Sequence, residues 1–175
     1  MKKLFLLIAG VSLVSFAGCG GGKKDDINAN VPKGMVAADL SGQDLPIYIN
    51  VPDSTNGPLE IKSNPQGGAD VKVGKNFKMT IIGGPGDMTM KKNDITHDDV
   101  RKFIKYMVEE PNAIVWEWQM PDAEPQFSFY TIIKAGDKNF EVRDMDGEVI
   151  SEKAVTQMLE AAKTIRLKTP VKSAS

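Results

Sequence analysis

The sequence predicts an α+β domain, a mostly antiparallel β-sheet packed by two amphipathic helices in the order strands, helix, strands, helix. Three observations carry this. Several short segments alternate apolar and polar residues with the period of two of a half-buried strand. Two others space apolar residues at i, i+3, i+4 and i+7, the stripe of a helix with one buried face. Glycine-containing dipeptides such as Gly136-Asp137 and Asp146-Gly147 punctuate the segments as turns.

Taken in order, Leu45 to Val51 places Ile47, Ile49 and Val51 on one side, and Leu59 to Ser63 is a short candidate strand. Phe77 to Ile82 follows the turn-like Gly74-Lys75-Asn76. The first helix is expected to start at Thr96, an N-cap residue with Asp99 in the capping-box position. Its stripe is Val100, Phe103, Ile104, Met107 and Val108, with Ile95 and Val100 as a hydrophobic staple and Pro111 as the stop. Ala113 to Met120 sets Ile114, Trp116, Trp118 and Met120 on one strand face. Phe127 to Lys134 and Asn139 to Arg143 read as a hairpin closed by Gly136-Asp137. The second helix starts at Ser151 and carries Val155, Met158, Leu159, Ala162 and Ile165 on one face, with Ile150 and Val155 as its staple.

Adjacent strand residues point to opposite faces, so the pairs Ile81-Ile82 and Ile132-Ile133 mark strands covered on both sides. One helix on each face is one arrangement; both helices on one face is the other. The segments Lys75-Asn76-Phe77-Lys78-Met79 and Lys138-Asn139-Phe140-Glu141-Val142 are faintly similar, but two matches this short do not establish a duplication.

The N-terminal end reads as an address. Lys2 and Lys3, an apolar run from Leu4 to Phe16 and the small pair Ala17-Gly18 make residues 1–18 a secretory signal peptide, too short to span a bilayer. Cys19, the only cysteine, follows at once, so no disulfide forms within the chain. Gly20-Gly21-Gly22 and the charged Lys23-Lys24-Asp25-Asp26 open a flexible linker over residues 19–34. Residues 35–168 are long enough for one domain with its own core, and residues 169–175 form a polar tail. The formal net charge of −1 becomes −3 when Lys2 and Lys3 leave with the signal peptide. Without a basic excess, nucleic acid is not an expected partner.

Phe16-Ala17-Gly18-Cys19 resembles the lipobox of bacterial lipoproteins, with Phe16 where leucine is usual. The resemblance implies cleavage before Cys19, acylation of its sulfur with palmitate-type chains and a membrane partner reached through that anchor. Lys24-Asp25-Asp26 is similar to the signal that carries some Gram-negative lipoproteins to the outer face of the outer membrane. It implies a cell-envelope protein lipid-anchored to the outer membrane and exposed at the surface. The element order looks somewhat like the Mog1/PsbP-type fold that some bacterial lipoproteins use; that likeness transfers no function.

The residues that carry chemistry elsewhere have simpler readings here. His97 is the only histidine, expected at the first helical position and facing solvent, with no nucleophile elbow to serve. Asp94, Asp98 and Asp99 are expected at the helix start, where they complement its dipole without a metal. Asp144-Met145-Asp146-Gly147-Glu148 fails as a calcium loop, because alignment on Gly147 puts Val142 and Lys153 at the first and twelfth positions; a hairpin turn is expected instead. Gly83-Gly84-Pro85-Gly86-Asp87 lacks the Gly-Lys-Ser/Thr of a phosphate cradle and reads as a mobile loop. Trp116 and Trp118 share their face with apolar neighbours, which places them in the core; exposed, they would be a ligand contact for sugar rings.

These readings assign no catalytic residue, metal or cofactor. They favour a non-catalytic binding or assembly module that recruits an envelope protein or a ligand to the membrane, through the Gly83-to-Asn93 and Met120-to-Gln126 loops. The alternative is a surface hydrolase or carbohydrate-binding protein using acidic residues or Trp116 and Trp118.

Overall fold

A computed structural model describes residue 27 and residues 31–168. Cys19, residues 1–18 expected as a signal peptide, most of residues 19–34 expected as a linker and residues 169–175 expected as a tail lie outside the described residues. Two sheets and two helices form the domain. Strands β1 (Met35–Asp39) and β2 (Ile47–Pro52) are followed by β3 (Leu59–Ser63), β4 (Ala69–Val73) and β5 (Phe77–Gly83). Helix α1 (Met88–Thr96) leads to β6 (Lys102–Glu110), β7 (Ala113–Gln119), β8 (Gln126–Ala135) and β9 (Lys138–Asp144). Helix α2 (Glu152–Ala162) and the short β10 (Arg166–Leu167) close the chain. The larger sheet has the order β3-β4-β5-β9-β8-β7-β6 and the smaller β1-β2-β10, with every pairing antiparallel.

The main core lies between the two sheets, with α2 packed across it. Phe77, Met79, Ile81, Phe129, Phe140 and Val142 of the large sheet meet Ile47, Ile49 and Val51 of β2 and Val155, Met158 and Leu159 of α2. Ser151 caps α2 as expected, its hydroxyl accepting from the Ala154 N–H at 3.3 Å. On the opposite face a smaller cluster gathers Ile95 of α1 with Ile114, Trp116, Trp118 and Tyr130. Ile133 joins the main core while Ile132 packs against the smaller cluster, so the Ile132-Ile133 pair straddles the sheet. One helix therefore sits on each face.

The first helix is not where the stripe placed it. Residues 102–110 are strand β6, and α1 ends at Thr96 instead of beginning there. The cause is two register shifts against β7, between Phe103 and Lys105 and between Tyr106 and Val108. Each bulge adds one residue, which stretches the facing period from two to three. Phe103, Tyr106 and Glu109 thus oppose Trp118, Trp116 and Ile114, while Ile104 and Met107 are the extra residues of the two bulges and stay exposed. Phe103 and Val108 pack on opposite faces of the sheet, so the apolar stripe is spread over both faces and the bulges and is not one buried helical face. Asp87 is the real N-cap, accepting from the Met90 N–H at 2.8 Å. The loop before α1 is also packed: Gly86 adopts φ +63°, and a Cβ there would lie 2.7 Å from Ile132 Cγ1.

Met158 is fully buried between α2 and the large sheet. Met158→Ala is expected to destabilise the domain by about 2–5 kcal/mol, measured by urea unfolding.

Candidate functional site

The polar and aromatic groups converge beneath α1, on the β6–β9 half of the large sheet. Trp116 and Trp118 project from β7 onto this face and retain only 8% and 7% of their surface. Helix α1 covers them, yet Ile95 is its only fully buried residue. Long cationic side chains do the remaining work. Lys91 Nζ lies 5.7 Å from the Trp116 ring centroid and 5.6 Å from that of Tyr130. Lys92 stands 5.6 Å from Tyr106 and ion-pairs with Glu109 at 2.7 Å; Arg101, just past the helix, stacks 5.5 Å over Trp118. Contacts of this kind contribute roughly 0.5–1 kcal/mol each at partly exposed sites, and the apolar stems exclude water from the rings.

Under this cover runs a hydrogen-bonded relay. The Trp118 indole N–H donates to Ser128 Oγ at 3.0 Å, and the Ser128 hydroxyl donates to Asp144 Oδ2 at 3.0 Å. The Phe129 N–H donates to Asp144 Oδ1 at 2.8 Å. Burial pushes the Asp144 carboxyl above its usual range, against these hydrogen bonds and the nearby Lys91 charge. Burial, reinforced by Arg143, pushes Lys91 below the usual lysine range. Among the described residues its ammonium has no carboxylate within 4.0 Å. The Tyr130 hydroxyl donates to Glu141 Oε2 at 2.8 Å; desolvation and that carboxylate raise its pKa.

The recess among Lys91, Asp94, Arg101, Trp116 and Trp118 has a volume of about 60 Å³. That volume has room for a few waters and none for a sugar ring. The tryptophans are therefore part of the packing, with no open face for stacking. The Ser128–Asp144 contact lacks a base: His97 is exposed, with Nδ1 2.9 Å from Asn93 O. His97 is the C-cap of α1 and not its first residue. The carboxylates correct in the same way. Asp94 is inside α1, and Asp98 and Asp99 follow its C-terminus, where the dipole would disfavour them. Asp98 instead holds the turn into β6, accepting from the Arg101 and Val100 N–H groups at 2.8 and 2.9 Å, which lower its pKa. No cluster of three or more metal-ligating side chains occurs among the described residues.

Asp144 to Glu148 joins β9 to α2 and is not a hairpin turn. Arg143 pairs with Asp146 at 2.7 Å, and Glu148 reaches Lys78 at 2.6 Å. The Met120-to-Gln126 loop meets the α1–β6 connection across a cleft of about 440 Å³ that includes Val100 and Met120, which are 64% and 37% exposed. The Gly83-to-Asn93 segment is mostly helix α1 itself. Sequence reasoning passes over Lys91 and reads Asp144 only as part of a turn. Lys91 precedes Ile95 by four residues on the same helix face, a signal that depends on knowing where that helix lies.

Two outcomes follow from this geometry. Emission from the two tryptophans is expected to be strongly blue-shifted in the folded chain and to move red on unfolding; a native maximum typical of water would contradict their burial. Asp144 is an acid with a raised folded-state pKa, so the fold retains its proton to higher pH than the unfolded chain does. Its contribution to stability is full below the ordinary value of 3.8 and is lost as pH rises through the folded-state value. Urea unfolding across pH is expected to show that Asp144→Asn gains stability relative to the parent as pH rises from about 4.

No family model, no curated protein and no solved structure matches this chain.

Proposed function

We propose that this chain is a lipid-anchored protein of the cell envelope, held at the outer membrane through Cys19 and acting as a non-catalytic binding or assembly module. The observation that carries the reading is the sequence Phe16-Ala17-Gly18-Cys19 at the end of an apolar leader, followed by a glycine tether. Acyl chains contribute about 0.8 kcal/mol per buried methylene, so two or more hold a protein stably on a bilayer. The α+β domain over residues 35–168 is the body that the tether presents.

The path of the chain supports an orientation. The Arg166 guanidinium donates to Ile27 O at 3.0 Å and to Asn50 Oδ1 at 2.9 Å, and it stacks 5.6 Å from the Tyr48 ring. Cys19 and Ile27 are 27 − 19 = 8 residues apart. Fully extended, that stretch spans at most about 28 Å. The small sheet, which carries Tyr48 and Arg166, is then the part of the domain tied nearest to the anchor. Helix α1, on the far side of the large sheet, faces away together with the exposed Met90, Val100 and Met120. Tethering concentrates this outward face near envelope partners without requiring a tight intrinsic contact.

Mass spectrometry of the chain recovered from palmitate-labelled cells tests the anchor. The expected product begins at Cys19 with a diacylglyceryl thioether, and Cys19→Ser abolishes acylation and cleavage. A free sulfhydryl at Cys19, or a retained leader, would contradict the reading.

A further inference from the structure

The two edges of the large sheet differ. Strand β6 carries two bulges, which spoil a continuous row of hydrogen-bonding groups. Strand β3 at the other edge pairs with β4 over all five residues without a register shift. Its backbone orientation follows from its two ends. Gly74 N–H donates to Pro58 O at 3.2 Å, and Asn64 N–H donates to Gly68 O at 3.0 Å. In an antiparallel ladder such residues alternate, so Pro58, Glu60, Lys62 and Asn64 point their backbone groups toward β4. Leu59, Ile61 and Ser63 turn theirs to the open edge. Ile61 packs at the margin of the main core, and Leu59 is 39% exposed.

We propose that β3 pairs with β3 of a second copy of this chain, antiparallel about a two-fold axis through Ile61, joining two large sheets into one. The sequence Leu59-Glu60-Ile61-Lys62-Ser63 is self-complementary in this register. Ile61 meets Ile61, and Leu59 meets Ser63, each as a hydrogen-bonded pair, which satisfies all three outward residues of both strands. Glu60 lies opposite Lys62, and Lys62 opposite Glu60, as cross-strand pairs of opposite charge. Within one copy these side chains already approach to 3.0 Å. Charges on an edge strand usually repel other strands; this arrangement admits a copy of itself and repels a shifted register. Leu59 and Ile61 extend the apolar margin of one core toward the other. The strand is short, so the contact is weak and concentration-dependent. It does not depend on the lipid anchor.

The test combines sedimentation of the purified full chain in detergent with carbodiimide crosslinking of a mixture of nitrogen-15-labelled and unlabelled protein. The expected result is reversible dimerisation and a mixed-isotope crosslink between Glu60 and Lys62. Glu60→Lys and Lys62→Glu each raise the dissociation constant about ten-fold, because two attractive pairs become repulsive. The double substitution restores dimerisation, and mixing the two single variants gives mixed dimers. Ser63→Pro removes an outward N–H, leaves the β4 ladder intact and weakens dimerisation while circular dichroism stays unchanged. A chain that remains monomeric up to roughly 1 mM, or a dimer indifferent to these substitutions, overturns the proposal.

Discussion

Two neighbouring strands, β7 and β8, that are apolar on both faces set the constraint from which the rest of the structure follows. Ala113, Val115, Phe129 and Ile133 of β7 and β8 face one side, and Ile114, Trp116, Trp118 and Tyr130 face the other. A sheet of this kind cannot leave either face in water, since large buried side chains contribute about 1.5–3 kcal/mol each. The small sheet and α2 cover one face with an ordinary aliphatic core. The other face is covered by α1, whose sequence Met-Thr-Met-Lys-Lys-Asn-Asp-Ile-Thr offers little apolar surface. Lysine and arginine stems lying on aromatic rings substitute for it.

That substitution explains the character of the candidate site. Covering aromatics with cations places charge where solvent is scarce, so the Lys91 amine is driven down and the Asp144 carboxyl up. The relay from Trp118 through Ser128 to Asp144 satisfies the buried polar atoms of this face. Perturbed groups of this kind mark catalytic sites in many proteins. Here the arrangement has a structural origin in the lid that the two-faced sheet demands.

Much of the fold was legible because local chemistry agreed with tertiary need. Ser151 and the stripe of Val155, Met158, Leu159 and Ala162 identify α2, although Ile165 falls beyond its end; the alternation from Ala113 identifies β7 and the burial of its tryptophans, although Met120 lies beyond the strand and is exposed. The failure at residues 102–110 has a specific cause. The bulges set Ile104 and Met107 outside the strand's alternation, so Phe103, Ile104, Met107 and Val108 fall at helical spacing although they lie on different faces of a strand. Helix α1 carries the converse ambiguity, since its contacts run through lysines that pattern reasoning assigns to solvent. Of the site, the tryptophans were legible; Lys91 and Asp144 were not, because their environment comes from segments far apart in sequence. The same bulges that disguise β6 also blunt one sheet edge, while β3 at the other pairs with β4 without a bulge.

Amide hydrogen exchange resolved by residue tests the two-sided covering of β7 and β8 most directly. The account predicts that amides of Val115, Trp116, Phe129 and Tyr130 exchange only through global unfolding, with the Trp118 indole N–H similarly protected by Ser128. Rapid exchange at the indole and along β7, with β5 and β9 still protected, would show that the face beneath α1 is open to water and would contradict the account.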